Sequence, residues 1–332
     1  MTETHPTDTP DLSVIIPVYN ERDVLPQCLQ RVQRILAPLG LVAELLFVDD
    51  GSRDGSAEWL IEQAAGIDGC RVIRLSRNFG KEAAMTAGFA MARGDAVVLL
   101  DADLQDPPEL IPDMIAQWRG GVDVVLMQRR TRRGESLFKR FTSRLFYRLM
   151  SYSSSLEIPL DVGDFRLMSR RAVDALNRLP ERNRYMKGLF AWVGMPTVVL
   201  QYDRAPRAAG ASKWNYFELL RLAIEAITSF STRPLKLAIL LGLVAAMCGG
   251  AFGLWIVFKA LVFGDPVQGY PSLIAIITFL GGAQLITVGI VGEYVGKTYI
   301  ESKQRPVYLV RDVIESTKSE SENATRNAET EN

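Results

Sequence analysis

Two aspartates stand one residue apart in Leu99-Leu100-Asp101-Ala102-Asp103-Leu104-Gln105-Asp106. The apolar run before them, residues 96–100, reads as a buried strand. Side chains two apart on an extended backbone point the same way, so Asp101 and Asp103 are expected to project together past the strand's end. Paired carboxylates there form a hard-oxygen site for Mg2+ or Mn2+, ions that keep coordination positions open for substrate phosphates. A solvated acidic turn is the other reading of the same residues. Pro107-Pro108 then stops the strand and starts a helix at Glu109.

Composition narrows the chemistry. The 332 residues carry 38 basic and 38 acidic side chains, a balance that points to no nucleic-acid partner. The only histidine is His5, in a polar leader. Histidine-based triads and histidine-ligated zinc are thereby excluded. Cys28, Cys70 and Cys248 are far apart, without metal or redox spacing, which suits a reducing compartment. Residues 1–11 are polar and Pro/Thr-rich and are expected to be a disordered leader, without the pattern of a signal peptide.

The elements that must position the aspartates follow from periodicity. Strands are expected over residues 12–19, 44–48, 71–75, 96–100 and 122–127, and helices over 24–36, 56–65, 81–91 and 109–118. Short apolar strands alternating with helices imply an α/β fold with a parallel sheet covered on both faces. Ligands in such sheets bind beyond the carboxyl ends of the strands. Those ends carry Asn20-Glu21, Asp49-Asp50-Gly51-Ser52, Ser76-Arg77-Asn78 and Asp101-Ala102-Asp103. No Gly-x-Gly-x-x-Gly follows the first strand, and Gly292-Glu-Tyr-Val-Gly296-Lys297-Thr298 is one residue short of a P-loop. Asp50-Gly51-Ser52 can equally be a turn leading to an N-cap, and Arg77 and Lys81 can equally be surface charges.

Beyond Met127 the composition changes. Gln128-Arg129-Arg130-Thr131-Arg132-Arg133 is a dense basic loop. Residues 135–150 follow as an amphipathic helix, apolar through Leu137, Phe138, Phe141, Leu145 and Leu149 and basic opposite; it suits a membrane surface. Val162-Gly163-Asp164-Phe165-Arg166-Leu167-Met168 leads to a helix from Ser169, and residues 196–202 to another strand. The loop 207–214 offers Arg207 and Lys213, and residues 213–234 are expected as a juxtamembrane amphipathic helix.

Residues 237–258 and 270–292 hold 22 and 23 consecutive residues without a charge. At ~1.5 Å per residue each spans ~33 Å, enough for a hydrocarbon core of ~30 Å. Arg221, Arg233 and Lys236 precede the first run, while Lys297, Lys303 and Arg305 follow the second. The positive-inside rule therefore puts both ends in the cytoplasm and the hairpin tip outside, as in a multi-pass membrane protein. Gly249-x-x-x-Gly253 and Gly292-x-x-x-Gly296 permit close helix approach, within the hairpin or between copies in a homo-oligomer. Residues 298–332 are expected as a cytoplasmic tail, disordered after about 314.

Four segments together carry a family resemblance. Pro17-Val18-Tyr19-Asn20-Glu21, Asp49-Asp50-Gly51-Ser52-Arg53-Asp54-Gly55-Ser56, Arg77-Asn78-Phe79-Gly80-Lys81 and Asp101-Ala102-Asp103-Leu104-Gln105-Asp106 stand in the order and spacing of family 2 glycosyltransferases. From about Ser13 to Val310 the chain more closely resembles the polyisoprenyl-phosphate glycosyltransferases, the dolichol-phosphate mannose synthases and bactoprenol glucosyltransferases among them. The resemblance implies a GT-A catalytic domain over residues 12–212, followed by the hairpin. It also implies a nucleotide-sugar site of Pro17, Tyr19, Glu21, Asp49, Asp50, Lys81, Asp101 and Gln105. Asp101 and Asp103 would hold the metal-diphosphate, and Asp164 would be a second carboxylate near the reacting sugar, catalytic with Asp103.

The expected reaction moves a sugar, glucose from UDP-glucose first, to a polyprenyl phosphate such as undecaprenyl phosphate, with inversion implied by the family. Mannose and 4-amino-4-deoxy-arabinose are the alternative sugars. A phosphate monoester is already largely ionised at neutral pH, so it needs cationic clamping more than a strong base. Arg129, Arg132, Arg207 and Lys213 are the candidates. A hydroxyl-acceptor polysaccharide synthase and a non-enzymatic nucleotide-sugar-binding scaffold are the rivals.

Overall fold

The structure is a computed structural model that describes residues 9–130, 162–203, 228, 231–263 and 269–316. Near-continuous apolar runs make the central strands. In β1 (Leu12–Val18) every residue but Pro17 is buried, and β2 (Ala43–Asp49) is buried from Glu44 onward. Such runs require helices on both faces. The elements then alternate: α1 (Leu25–Leu36), α2 (Ser56–Ala64), β3 (Cys70–Leu75), α3 (Lys81–Met91), β4 (Ala96–Leu99), α4 (Ile111–Arg119) and β5 (Val124–Arg129). β6 (Val162–Ser169), α5 (Arg170–Asn177), α6 (Met186–Trp192) and β7 (Thr197–Tyr202) follow. The eight described strands form one sheet in the order β7-β5-β6-β4-β1-β2-β3-β8, where β8 is Val310–Glu315. The sheet is mostly parallel, and β6 and β8 run antiparallel to their neighbours.

Two strands depart from expectation. Residues 162–168 are expected to lead to a helix from Ser169, with no strand of their own. They are a strand inserted between β4 and β5, and Ser169 caps α5 by accepting from the Ala172 amide. The second is β8, which falls where a tail was expected. It docks on β3 because its charges match: Arg71 Nε lies 3.0 Å from Glu315 Oε1, and Arg74 Nη2 lies 2.5 Å from Asp312 Oδ2. Arg71 also meets buried Glu44 at 3.1 Å, and Glu44 accepts from Ser13 Oγ at 2.5 Å.

The described residues fall into two compact units, and β8 belongs to the sheet unit. The other holds two long helices, α7 (Arg233–Phe263) and α8 (Tyr270–Ser302), each extending past the uncharged run inside it. Both are long and apolar enough to cross a membrane, and their large apolar side chains are mostly exposed. The Tyr294 hydroxyl donates to the Ser231 carbonyl at 2.5 Å, tying the end of α8 to the start of α7. Among the described residues, a Cβ added at Gly249, Gly253, Gly292 or Gly296 would meet nothing within 4 Å. The amphipathic helix expected at 135–150, and nearly all of the juxtamembrane one at 213–234, lie outside the described residues.

Candidate active site

Parallel strands β1 to β5 deliver their carboxyl ends to one rim. Because β6 is antiparallel, it starts where they end. Its register pairs Leu99 with Arg166, and continuing that pairing sets Asp164 opposite Asp101. Sheet topology thus joins two carboxylates far apart in sequence. Lys81, the first residue of α3, reaches between them. Its Nζ lies 2.7 Å from Asp101 Oδ1 and 2.6 Å from Asp164 Oδ2. Lys81 is therefore part of the rim site rather than an incidental surface charge.

Each charge in this cluster acts on the others. Enclosure in the cleft disfavours the Lys81 ammonium, but the Asp101 and Asp164 carboxylates outweigh that effect and hold it above the usual lysine range. Burial pushes Asp164 up, and Lys81, Lys187 and Arg166 more than reverse this, leaving it well below the usual carboxylate range. Asp101 stays above its ordinary value, because burial and the Asp164 charge prevail over Lys81. One carboxyl is thus held ionised while its neighbour takes up a proton more readily.

Several supporting residues were missed in the sequence reading. Arg166 is buried two positions beyond Asp164, on the same face of β6. It donates to the carbonyls of Gly163 at 2.9 Å and Asp164 at 3.1 Å, and its guanidinium lies 3.7 Å from the Phe190 ring centroid. Burial pulls its pKa down to about 10, against the pull of Asp164 and Glu82. Glu82, next to Lys81, accepts from the Met186 amide at 2.9 Å and so fixes the start of α6. Burial raises its carboxyl to about 7. Period-2 spacing from Asp164 could have flagged Arg166, but nothing local distinguishes Glu82 or Lys187.

The remaining candidates divide by what holds them. Asp50 is buried, and its two oxygens accept from the amides of Phe79 at 2.7 Å and Gly80 at 2.8 Å, the turn that launches Lys81. Gly51 makes this possible. Its φ is +71°, and a Cβ there would stand 2.7 Å from the Arg77 carbonyl carbon. Asp49 is buried and accepts from the Ser52 amide at 3.3 Å. Burial pushes both carboxyls up. Ser52 is not an N-cap; it accepts from the Asn20 amide at 3.0 Å, while α2 begins at Ser56. Tyr19 is exposed on the rim, Pro17 half-buried within β1, and Glu21 half-buried beyond it.

Asp103 departs from the expected geometry. The backbone is not extended after Leu100 but turns, with Leu104 at φ +55°, and Asp103 Oδ1 accepts from the Gln105 amide at 3.1 Å. The partner that β6 supplies to Asp101 is Asp164, across the sheet rather than two residues along it. Arg129 closes β5, half-buried, with Nε 3.4 Å from the Tyr202 hydroxyl. Arg132, Arg207 and Lys213 lie outside the described residues.

A metal would meet hard oxygen donors at this rim, and Asp101 and Asp164 already converge on one positive charge, the Lys81 ammonium. That donor chemistry fits Mg2+ or Mn2+. Among the described residues, no group of three or more acidic, cysteine or histidine side chains stands ready to hold an ion. A bound ion would therefore share its shell with substrate phosphates and water, as Mg2+ commonly does.

A mostly parallel sheet with a carboxylate-bearing rim, closed by an antiparallel strand that supplies a further acid, defines a GT-A-type glycosyltransferase domain. Residues 13–176 match the family model described as glycosyl transferase family 2. The chain is 46% identical over 303 residues to a bactoprenol glucosyl transferase of Shigella phage SfV, covering 91% of this chain and 98% of that one. It is 43% identical over 304 residues to a prophage bactoprenol glucosyl transferase homolog of Escherichia coli K12, covering 91% and 99%. Among solved structures, glucosyl-3-phosphoglycerate synthase from Mycobacterium tuberculosis, crystallised with Mn2+, uridine diphosphate and phosphoglyceric acid, superposes with a TM-score of 0.47. That match is 20% identical and covers 66% of this chain and 76% of the other. The protein belongs to glycosyltransferase family 2 and is a glycosyltransferase enzyme.

Proposed function

We propose that this protein transfers a sugar, glucose from UDP-glucose first, onto a polyprenyl phosphate such as undecaprenyl phosphate at the cytoplasmic leaflet of the inner membrane. The observation that carries the reading is the cluster in which Lys81 joins Asp101 to Asp164 at the sheet rim. Sequence likeness along nearly the whole of the phage bactoprenol enzyme supports the lipid acceptor, and two helices of spanning length support the membrane setting. In this reading residues 12–212 bind the donor and α7 and α8 anchor the chain. Asp49 lies at the nucleoside, with Pro17, Tyr19 and Glu21 nearby. Asp50 contributes by holding the turn before Lys81.

Asp101 and Asp103, with Gln105 beside them, would hold Mg2+ or Mn2+, which supplies charge neutralisation for a departing diphosphate. The chain's own groups do the rest. Lys81 is a cation at the same place, suited to the diphosphate as its charge grows. Asp164, held ionised, orients a sugar hydroxyl or the acceptor, or stabilises positive charge at the anomeric carbon. Arg129, with Arg132, Arg207 and Lys213 from the basic loops, clamps the acceptor phosphate. That acceptor is already anionic at neutral pH, so a chain without a usable histidine can run the reaction.

The test is a donor panel of UDP-glucose, GDP-mannose and UDP-4-amino-4-deoxy-arabinose. It uses undecaprenyl phosphate and detergent-solubilised protein, with Mg2+, Mn2+ or EDTA. The proposal expects glucolipid with UDP-glucose and loss of product in EDTA. Glycolipid from another donor would replace the sugar assignment, and no glycolipid from any donor would overturn the function.

A further inference from the structure

A second constellation closes the rim beside the Asp101–Lys81–Asp164 cluster. Tyr202 ends β7 and pairs in register with Arg129 at the end of β5. Its hydroxyl donates to Asp106 Oδ1 in a short hydrogen bond and accepts from Arg129 Nε at 3.4 Å. Asp106 and Tyr202 are 1% and 4% exposed, and the Tyr202 ring is braced edge-on by Phe165 at 6.4 Å. The far side of the guanidinium lies against Gly163. A Cβ there would sit 3.3 Å from Arg129 Nη2 and 3.9 Å from Asp106 Oδ2, so the residue before Asp164 leaves room for the arginine.

Arginine is a long side chain that loses much rotamer freedom when it grips an anion, and fixing it beforehand removes that cost. Here Tyr202 takes the Nε–H. That leaves the two terminal nitrogens, whose spacing matches two oxygens of a phosphate. A buried carboxylate in turn holds the tyrosine hydroxyl in the orientation that accepts. We propose that Tyr202 and Asp106 are positioning residues that lock the Arg129 guanidinium beside Asp164, as a preset clamp for the phosphate of the lipid acceptor. The proposal rests on the reading of Arg129 as an acceptor ligand.

The experiment measures kcat, the KM for undecaprenyl phosphate and the KM for the nucleotide-sugar in the full-length protein, with thermal unfolding as a control. Arg129→Met is expected to raise the acceptor KM at least tenfold. Tyr202→Phe, which keeps the ring and removes only the hydroxyl, is expected to raise it about threefold to tenfold, as for one lost hydrogen bond to a charged group. Asp106→Asn should act in the same direction, and donor KM should not move. In the Arg129→Met background, Tyr202→Phe should add nothing. If Tyr202→Phe is additive with Arg129→Met, or leaves the acceptor KM unchanged while Arg129→Met raises it, the positioning role is overturned and the Arg129 reading survives. If Arg129→Met itself leaves the acceptor KM unchanged, the reading of Arg129 falls, and this inference with it.

Discussion

Replacing Lys81 with Met removes the cation that bridges Asp101 and Asp164 and keeps most of the stem. The two carboxylates, each within 2.7 Å of the same nitrogen, then face one another with nothing between them. Their mutual repulsion, about 3 kcal/mol for like charges about 5 Å apart at an effective dielectric of about 20, is offset by the ammonium in wild type and stands uncompensated once that charge is gone. The Lys81 side chain is 45% exposed, so water enters where it stood and screens about half of this. What is left corresponds to about one pKa unit. The sign follows from the wild-type state. Asp164 is held below the ordinary carboxylate range, so its ionised form is present above that low pKa and is lost only as pH falls through it. Without the ammonium that loss begins at higher pH. The assay is the pH dependence of kcat/KM for wild type, Lys81→Met and Lys81→Arg. The acid limb is expected to move up by about one unit in Lys81→Met and to return toward wild type in Lys81→Arg. Superimposable acid limbs for Lys81→Met and wild type would refute the electrostatic reasoning.

Two further predictions concern stability. Glu82 has its carboxyl raised by burial to about 7, so the stability it contributes is present at acid pH and is lost as pH rises through that value. Glu82→Gln should flatten this dependence, raising the unfolding temperature relative to wild type at neutral and alkaline pH by up to about 3 kcal/mol of stability, as thermal scans across pH would read. Glu315 meets both Arg71 and Arg93 at 3.0 Å. Glu315→Ala leaves the buried Arg71 with one carboxylate partner fewer and should destabilise the sheet unit by about 1–3 kcal/mol, measured by denaturant unfolding.

Strand periodicity made the parallel core legible. The runs at 12–18, 43–49, 70–75 and 96–99 are apolar enough to be buried on both sides, and the polar residues between them fall on one rim. Asp101, Lys81 and Asp164 were all legible as candidates. Their meeting was not, because it depends on β6 running antiparallel between β4 and β5, and strand direction leaves no mark in local composition. The extended backbone expected from Asp101 to Asp103 is absent for a local reason. The chain turns at Ala102–Leu104 instead of staying extended, so the two-residue rule does not apply there. β8 was read as tail because six residues with three charges carry no strong strand pattern. Its place is set by the arginines of β3, 238 and 244 residues away in sequence. Asp106 and Tyr202 were invisible as a pair for the same reason: their hydrogen bond joins residues 96 apart.

The most direct measurement is a structure of the full chain with UDP and Mn2+ bound. The account predicts the diphosphate and the ion at the sheet rim against Asp101 and Asp103, with Lys81 drawn from Asp164 toward the phosphates. A diphosphate bound away from those acids, with Lys81 still bridging Asp101 and Asp164, would contradict it.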